Sequence, residues 1–193
     1  MSDITNAVNS FQKMLDIEYE FVLGRKNKSI NLTVEFQKMH FFHLAGLQHL
    51  NDLPRLAFSA EVIFDRLKSN IITPEYIESS IDYKFIKKRI EYLPLLEKIF
   101  DSNDTIFRYN PALQTFSVIE ADFLMKNTVK NTNLFVFLSK GNNDKYFCKS
   151  FFPENKTDYA ERQTRWTVLL KKKKLRNENN EEILYKHPNL DLR

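Results

Sequence analysis

Two histidines three residues apart, His40 and His43, lie in the apolar segment from Gln37 to Leu50. At about 100° per residue, Phe36, Met39, Leu44, Leu47 and Leu50 gather on one side of a helix. His40 and His43 fall within that stripe, and His49 points the other way. An imidazole titrates near neutrality and can take or give a proton in catalysis. Two at this spacing also permit two metal ligands, but no nearby carboxylate completes a usual set. A histidine in an apolar stripe serves equally well as a hydrogen-bonded core residue. Gly46 argues for function at His43, because a missing Cβ three residues on lets a strand or substrate approach closely.

A second group of chemically able residues lies toward the C-terminus. Read as a strand, DKYFCKSFF places Lys145, Phe147, Lys149 and Phe151 on one face, with Tyr146, Cys148, Ser150 and Phe152 on the other. In RWTVLL the obvious core face is Trp166, Val168 and Leu170, leaving Arg165, Thr167 and Lys171 opposite. Lys149 and Arg165 are thus expected on one outer sheet surface. Fixed cations beside exposed aromatics suit a ribose-phosphate backbone and stabilise a pentavalent phosphate. The same pattern also describes solubilising charge on an exposed face. The run Lys171 to Lys174 reads as a solvated edge that resists aggregation.

Other chemistries lack their residues. With 3 Gly in the chain there is no phosphate-cradling loop, and neither HExxH nor GxSxG nor a Cys pair occurs. No cofactor and no metal are expected. Cys148, the single cysteine, sits in the apolar run YFCKSFF and reads as a small packed hydrophobe.

These residues need elements to hold them. Ile4, Val8, Phe11 and Leu15 mark an opening amphipathic helix with Ser2 or Asp3 as its cap. YEFVLGR and INLTVEF, parted by Lys26 to Ser29, read as a hairpin. After the His43 helix, Ser59 to Phe100 reads as several short helices, with Thr73-Pro74-Glu75 as a helix start and a break near Pro94. TIFRYN, TFSVIEADFLM, NLFVFLSK, DKYFCKSFF and RWTVLLKKK follow as strands. The expected fold class is α+β: N-terminal helices and a short hairpin, a helical middle segment, then an antiparallel sheet of four to five strands. One domain over residues 1–193 is expected, with the helical block 59–100 as an insertion or side layer and 177–193 as a tail.

The chain of 193 residues is 42% hydrophobic with 17 Phe, ample for a core. No stretch approaches the roughly 20 apolar residues that span a bilayer, and MSDITNAVNSFQKML lacks the pattern of a secretory signal. A cytoplasmic location is expected. A net charge of +4 with pI near 9.0, concentrated in the acid-free stretch RWTVLLKKKKLR, favours a nucleic acid over a membrane as partner.

FHLAGLQHL (42–50), IFRYN (106–110), LFVFL (134–138), KSFFP (149–153) and TRW (164–166) occur together in this order. On these motifs, from about Tyr19 to Leu170, the chain resembles the fourth phage-associated branch of the barnase, EndoU, colicin and RelE nuclease superfamily. The resemblance implies an N-terminal helical part packed on a four- or five-stranded antiparallel sheet. It also implies metal-independent ribonuclease activity in proteins of phages and mobile elements, with the ribose 2′-hydroxyl attacking the neighbouring phosphate. Carried over by motif, His43 would be acid or base, Arg108, Lys149 and Arg165 would hold the phosphate, and Ser150 would position it. RNA is the expected partner, a protein inhibitor or antitoxin a second, and a toxin or phage-conflict effector the expected role. Periodicity sets His43 toward the core and Ser150 on the strand face opposite Lys149. All five therefore meet only through a bulge or at a helix-sheet border. The competing reading is a non-catalytic RNA-binding or protein-interaction module on the same scaffold, and a third is a structural phage accessory protein.

Overall fold

The computed structural model describes residues 2–102, 105–114, 117–129, 131–155, 157–176, 180–188 and 190. The start of the expected strand TFSVIEADFLM and parts of the polar stretch Asp101 to Asp104 and of the tail lie outside these residues.

Ser2 accepts a hydrogen bond from the Thr5 amide and opens helix α1, Asp3–Met14, whose buried face Ile4, Ala7, Val8, Phe11 and Met14 recurs every three or four residues. Strands β1 (Ile17–Arg25) and β2 (Lys28–Glu35) form a hairpin in which Arg25 faces Lys28. Its two turn residues, Lys26 and Asn27, both have positive φ, the geometry that matches the twist of a two-residue turn. Helix α2 is short, Lys38–Leu44. Gly46 at φ 81° stops it and a 3-10 turn, Leu47–His49, follows. Helices α3 (Ala60–Lys68) and α4 (Pro74–Glu78) are capped by Ser59 and Thr73. Helix α5 (Tyr83–Tyr92) runs into a 3-10 turn containing Pro94 and then α6 (Leu96–Asp101).

Strands β3 (Thr105–Arg108), β4 (Phe123–Val129), β5 (Thr132–Lys140), β6 (Tyr146–Pro153), β7 (Thr164–Leu175) and β8 (Asn180–Lys186) complete the chain. The spatial order is β1-β2-β6-β5-β4-β3-β7, and β7 pairs back onto β1. Seven strands thus close a barrel, and β8 adds to β7 as an extra strand. This overturns the expected antiparallel sheet of four to five strands with a separate hairpin. The hairpin is part of the barrel, because β7 at 12 residues is long enough to pair with β3 through its first residues and with β1 through the rest. One junction, β2 to β6, is parallel and covers two register pairs only, Val34 with Tyr146 and Glu35 with Phe147.

Two corrections follow from strand irregularities. Leu23 faces Val168 and Val22 faces Leu170, so Leu169 is an extra residue that reverses the alternation of β7. Lys171 consequently faces Phe21 and is 1% exposed, with its ammonium 5.6 Å from that ring and bonded to the Ser102 carbonyl. The lysine run is not a solvated edge. Lys173 bonds Glu97 and Asp101 of α6, Lys174 bonds Glu20, and Lys172 bonds Glu181. Local sequence could not show this, since every one of these acids is distant in the chain or in the tail.

The main core joins the inner barrel face to the helices, through contacts such as Tyr19 with Phe100 at 4.9 Å and Phe11 with Phe41 at 5.5 Å. A smaller core lies outside the sheet. There Phe135 and Phe137 of β5 pack against Tyr109, Phe152 and Tyr159.

Candidate functional site

Because β2 runs parallel to β6 and leaves it after Glu35, the chain continues beside β6 as helix α2 rather than as a strand. α2 takes the place that a longer β2 would have filled. A cleft of about 720 Å³ opens at this border, lined by Glu35, Met39, His40, His43 and, from β6 and the preceding turn, Asn143, Lys145, Phe147 and Lys149.

His40 anchors the helix side. Its Nδ1 accepts the Gln37 amide at 3.1 Å, so in the neutral ring Nε2 carries the proton. Its ring stacks on Phe147, and burial pushes its pKa down to about 4, with nearby His43 adding to the effect and Glu35 opposing it. His40 is therefore neutral at pH 7 and fills a structural role.

His43 stands one turn further and is exposed to the cleft, its ring edge-on to Phe42 at 5.5 Å. The expected core-facing position is corrected. Continuous helix periodicity would put His43 with Leu47 and Leu50, but α2 ends at Leu44, and its buried residues are His40, Phe41 and Leu44. Met39, also expected in the core stripe, is 45% exposed. Gly46 proves to serve the fold: a Cβ there would meet Ile86 at 2.9 Å and the Arg89 Cδ at 3.1 Å, so what it admits is helix α5.

The strand side contains a bulge. Leu138 faces Cys148 and Phe137 faces Ser150, which leaves Lys149 as the extra residue of β6. The parity expected for DKYFCKSFF therefore breaks at Lys149: Cys148 and Phe151 both join the inner core, while Ser150 shares the outer face with Phe137. Lys149 is exposed, lines the same cleft as His43, and its side chain has no ion pair or hydrogen bond among the described residues.

The other charged groups of the cleft are already committed. Glu35, 7% exposed, accepts from Gln37 at 2.8 Å, from Asn143 at 3.1 Å and from Arg176 at 2.9 Å. Burial raises its pKa, yet those hydrogen bonds together with Arg176 and Lys145 outweigh it and hold the carboxyl below its ordinary value. Lys145 bonds Glu18 at 2.5 Å, and Lys140 bonds Asp144 at 2.6 Å. His43 and Lys149 are the groups left available for a ligand among these.

Of the five residues expected to act together, the structure brings His43 and Lys149 to one cleft; Ser150 follows the bulged Lys149 but faces outward with Phe137 and is not part of the cleft lining. Arg108 lies elsewhere, over the Phe123 ring at 4.8 Å and 3.4 Å from Asp122. Arg165 faces Phe107 and borders a separate, smaller cleft of about 170 Å³ with Trp166 and Tyr185. Cys148 is buried, which pushes its thiol pKa up and leaves it inert. Among the described residues no group of three or more His, Cys, Asp or Glu is placed to hold a metal ion, and no helix is long and apolar enough to cross a membrane.

One basic residue escaped the sequence reading. Arg89 of α5 reaches β6 and places its guanidinium 5.2 Å from the centre of the Phe152 ring. It lies in the run Lys87-Lys88-Arg89, where composition alone does not separate it from its neighbours. Its position next to the buried Ile90 and three after the buried Ile86 was the available signal.

No curated protein and no solved structure matches the chain. A family model does, over residues 3–187, described as phage-Barnase-EndoU-ColicinE5/D-RelE like nuclease4. With that model spanning the helices, the barrel and the cleft of His43 and Lys149, the chain belongs to this phage-associated nuclease family.

Proposed function

We propose that the protein is an endoribonuclease that cleaves RNA without a metal, by attack of a ribose 2′-hydroxyl on the adjacent phosphate. The observation that carries this reading is the pairing of an exposed imidazole, His43, with an unpaired ammonium, Lys149, across one cleft. In the reaction the bond from O2′ to phosphorus forms and the bond to O5′ breaks, giving a cyclic phosphate. His43 is the acid or base that exchanges a proton with one of these oxygens. Lys149 faces the charge that builds on the phosphate, and the bulge holds it on a rigid strand. Ser150, the next residue, turns to the outer face beside Phe137 and does not line the cleft. Arg108 and Arg165 stand apart from this centre and serve, at most, a longer substrate. A toxin or phage-conflict effector, held in check by a protein inhibitor, is the biological role that fits.

The second reading, a non-catalytic RNA-binding or interaction module, draws on Glu35. The cleft carboxylate is saturated by four neighbours and so does not supply a second proton-transfer group beside His43.

Purified protein is incubated with total RNA, with and without EDTA, beside His43→Ala. Cleavage that resists EDTA and disappears in the variant is expected. Intact RNA in every lane would overturn the catalytic reading in favour of the second, and loss of cleavage with EDTA would overturn its metal-independent form.

A further inference from the structure

Arg89 is half-buried, and among the described residues its guanidinium has neither an ion pair nor a hydrogen bond. A guanidinium stays charged at any physiological pH, so its withdrawal from water needs a compensating partner. Its guanidinium lies over the face of Phe152, and among the described residues no carboxylate favours its charged form; burial lowers its pKa, with the Tyr159 phenol opposing. Several half-buried cations elsewhere are paired, as Lys173 is with Glu97 and Asp101 and Lys126 is with Asp158, whereas Arg66, also half-buried, rests on the exposed Phe58 ring away from the cleft. The fold also makes room for this one: Gly46 adopts φ 81° and leaves the Arg89 side chain a passage that a Cβ would narrow to 3.1 Å. A side chain brought in by a left-handed glycine and left without an anion has the form of a binding group.

Its place against β6 says for what. Along β6, Phe147 meets His40, Lys149 lines the cleft that His43 also lines, and Phe152 meets Arg89. Lys149 and Phe152 are three residues apart, about 10 Å along a strand. His49, just beyond Gly46, lies close enough to Arg89 for the guanidinium to lower its pKa, after the larger effect of burial and against Asp82. Two cations, Lys149 and Arg89, therefore stand along the border where α2 and α5 flank β6.

We propose that Arg89 holds a phosphate of a single-stranded nucleic acid lying along this border, a neighbour of the phosphate that Lys149 faces. This rests on the cleft being the nucleic-acid site and adds a second contact to it. A planar guanidinium takes two phosphate oxygens at once, and the Phe152 ring beside it supports the charge. The contact is a positioning one, reading the backbone and no base.

The test is the affinity of a short single-stranded RNA with 2′-O-methyl riboses, which 2′-hydroxyl attack cannot cleave, measured over a range of salt for the wild type and for Arg89→Met. Binding about tenfold weaker at low salt is expected, with a salt slope shallower by about 0.7, the share of one phosphate on a single strand. Unchanged affinity and slope in a variant that melts normally overturns the proposal. Should Arg89→Met melt early, Arg89→Lys decides: several-fold weaker binding at a native melting temperature supports a guanidinium-held phosphate, and native affinity overturns it. The catalytic reading fails separately. A wild type that binds with this dependence on Arg89 yet leaves RNA intact sinks the ribonuclease and keeps the phosphate site, and cleavage with Arg89-independent binding does the reverse.

Discussion

The rings of His40 and Phe147 lie face to face, with centroids 4.9 Å apart and planes 18° from parallel. This contact seats the helix that carries His43 on the strand that carries Lys149, one helical turn and two strand residues from the respective side chains. Everything chemical in the cleft is referred to that joint.

The joint is sensitive to acid. With its pKa pushed down to about 4 from 6.5, chiefly by burial, His40 is neutral when folded and takes up a proton on unfolding at mildly acidic pH. Its folded pKa is depressed, so its contribution is complete above pH 6.5 and is lost as pH falls toward 4. A shift of this size sets an upper bound on the order of 3 kcal/mol. Urea unfolding of His40→Phe should show a stability lower by about 1 kcal/mol at pH 7, where the Gln37 amide loses its acceptor. Between pH 6.5 and 4 it should lose less than the wild type, and an equal loss in both would refute the assignment.

Lys173 should matter to the fold and not to nucleic acid. Burial lowers its pKa, but its bonds to Glu97 and Asp101 outweigh this and raise it, and Tyr19 donates to the same Asp101 at 2.6 Å. Lys173→Met leaves Glu97 without its cation and Asp101 with Tyr19, at carboxylates 36% and 37% exposed and so partly screened by water, which should cost about 1 kcal/mol. RNA affinity of the folded variant should stay within about twofold. A stable variant that has lost binding would restore the lysine run as a nucleic-acid surface.

Gly46 links the two helices that flank β6. Its φ of 81° costs any L-residue about 1–2 kcal/mol, and the added Cβ at 2.9 Å from Ile86 forces a shift of α5. Gly46→Ala is expected to destabilise by about 2 kcal/mol or more, read from the urea midpoint at constant slope. A change below about 0.5 kcal/mol would mean that α5 does not press on this residue.

What could be read from the chain differed from residue to residue. The Ser2 and Thr73 caps and the alternation of β1 are local, since each depends on neighbours within four positions. The family was legible from short motifs in order. Barrel closure was not, because the pairing of β7 with β1 joins Ile17 to Leu175 and leaves no local trace. The site was half legible. His43 was found by residue type, but its exposure depended on where α2 stopped; a bulge was foreseen as a condition for the residues to meet, and alternation could not show that it falls at Lys149 and leaves Ser150 on the outer face with Phe137. Arg89 was missed because its partner ring lies on another element, 63 positions away in sequence at Phe152.

The most direct prediction sets His43 against Lys149. Both are exposed, so His43→Ala and Lys149→Ala should each change stability by less than about 0.5 kcal/mol. Their effects on cleavage should be large: about 10²–10⁴-fold for the proton-transfer group and about 10²–10³-fold for the cation facing the phosphate. Affinity separates the two, because loss of Lys149 removes a phosphate contact and flattens the salt dependence of binding, while loss of His43 leaves both near the wild type. If both act on one transition state, the double variant should be little worse than the poorer single one. Strictly multiplicative losses would instead place the two side chains in independent events and break the cleft into separate sites.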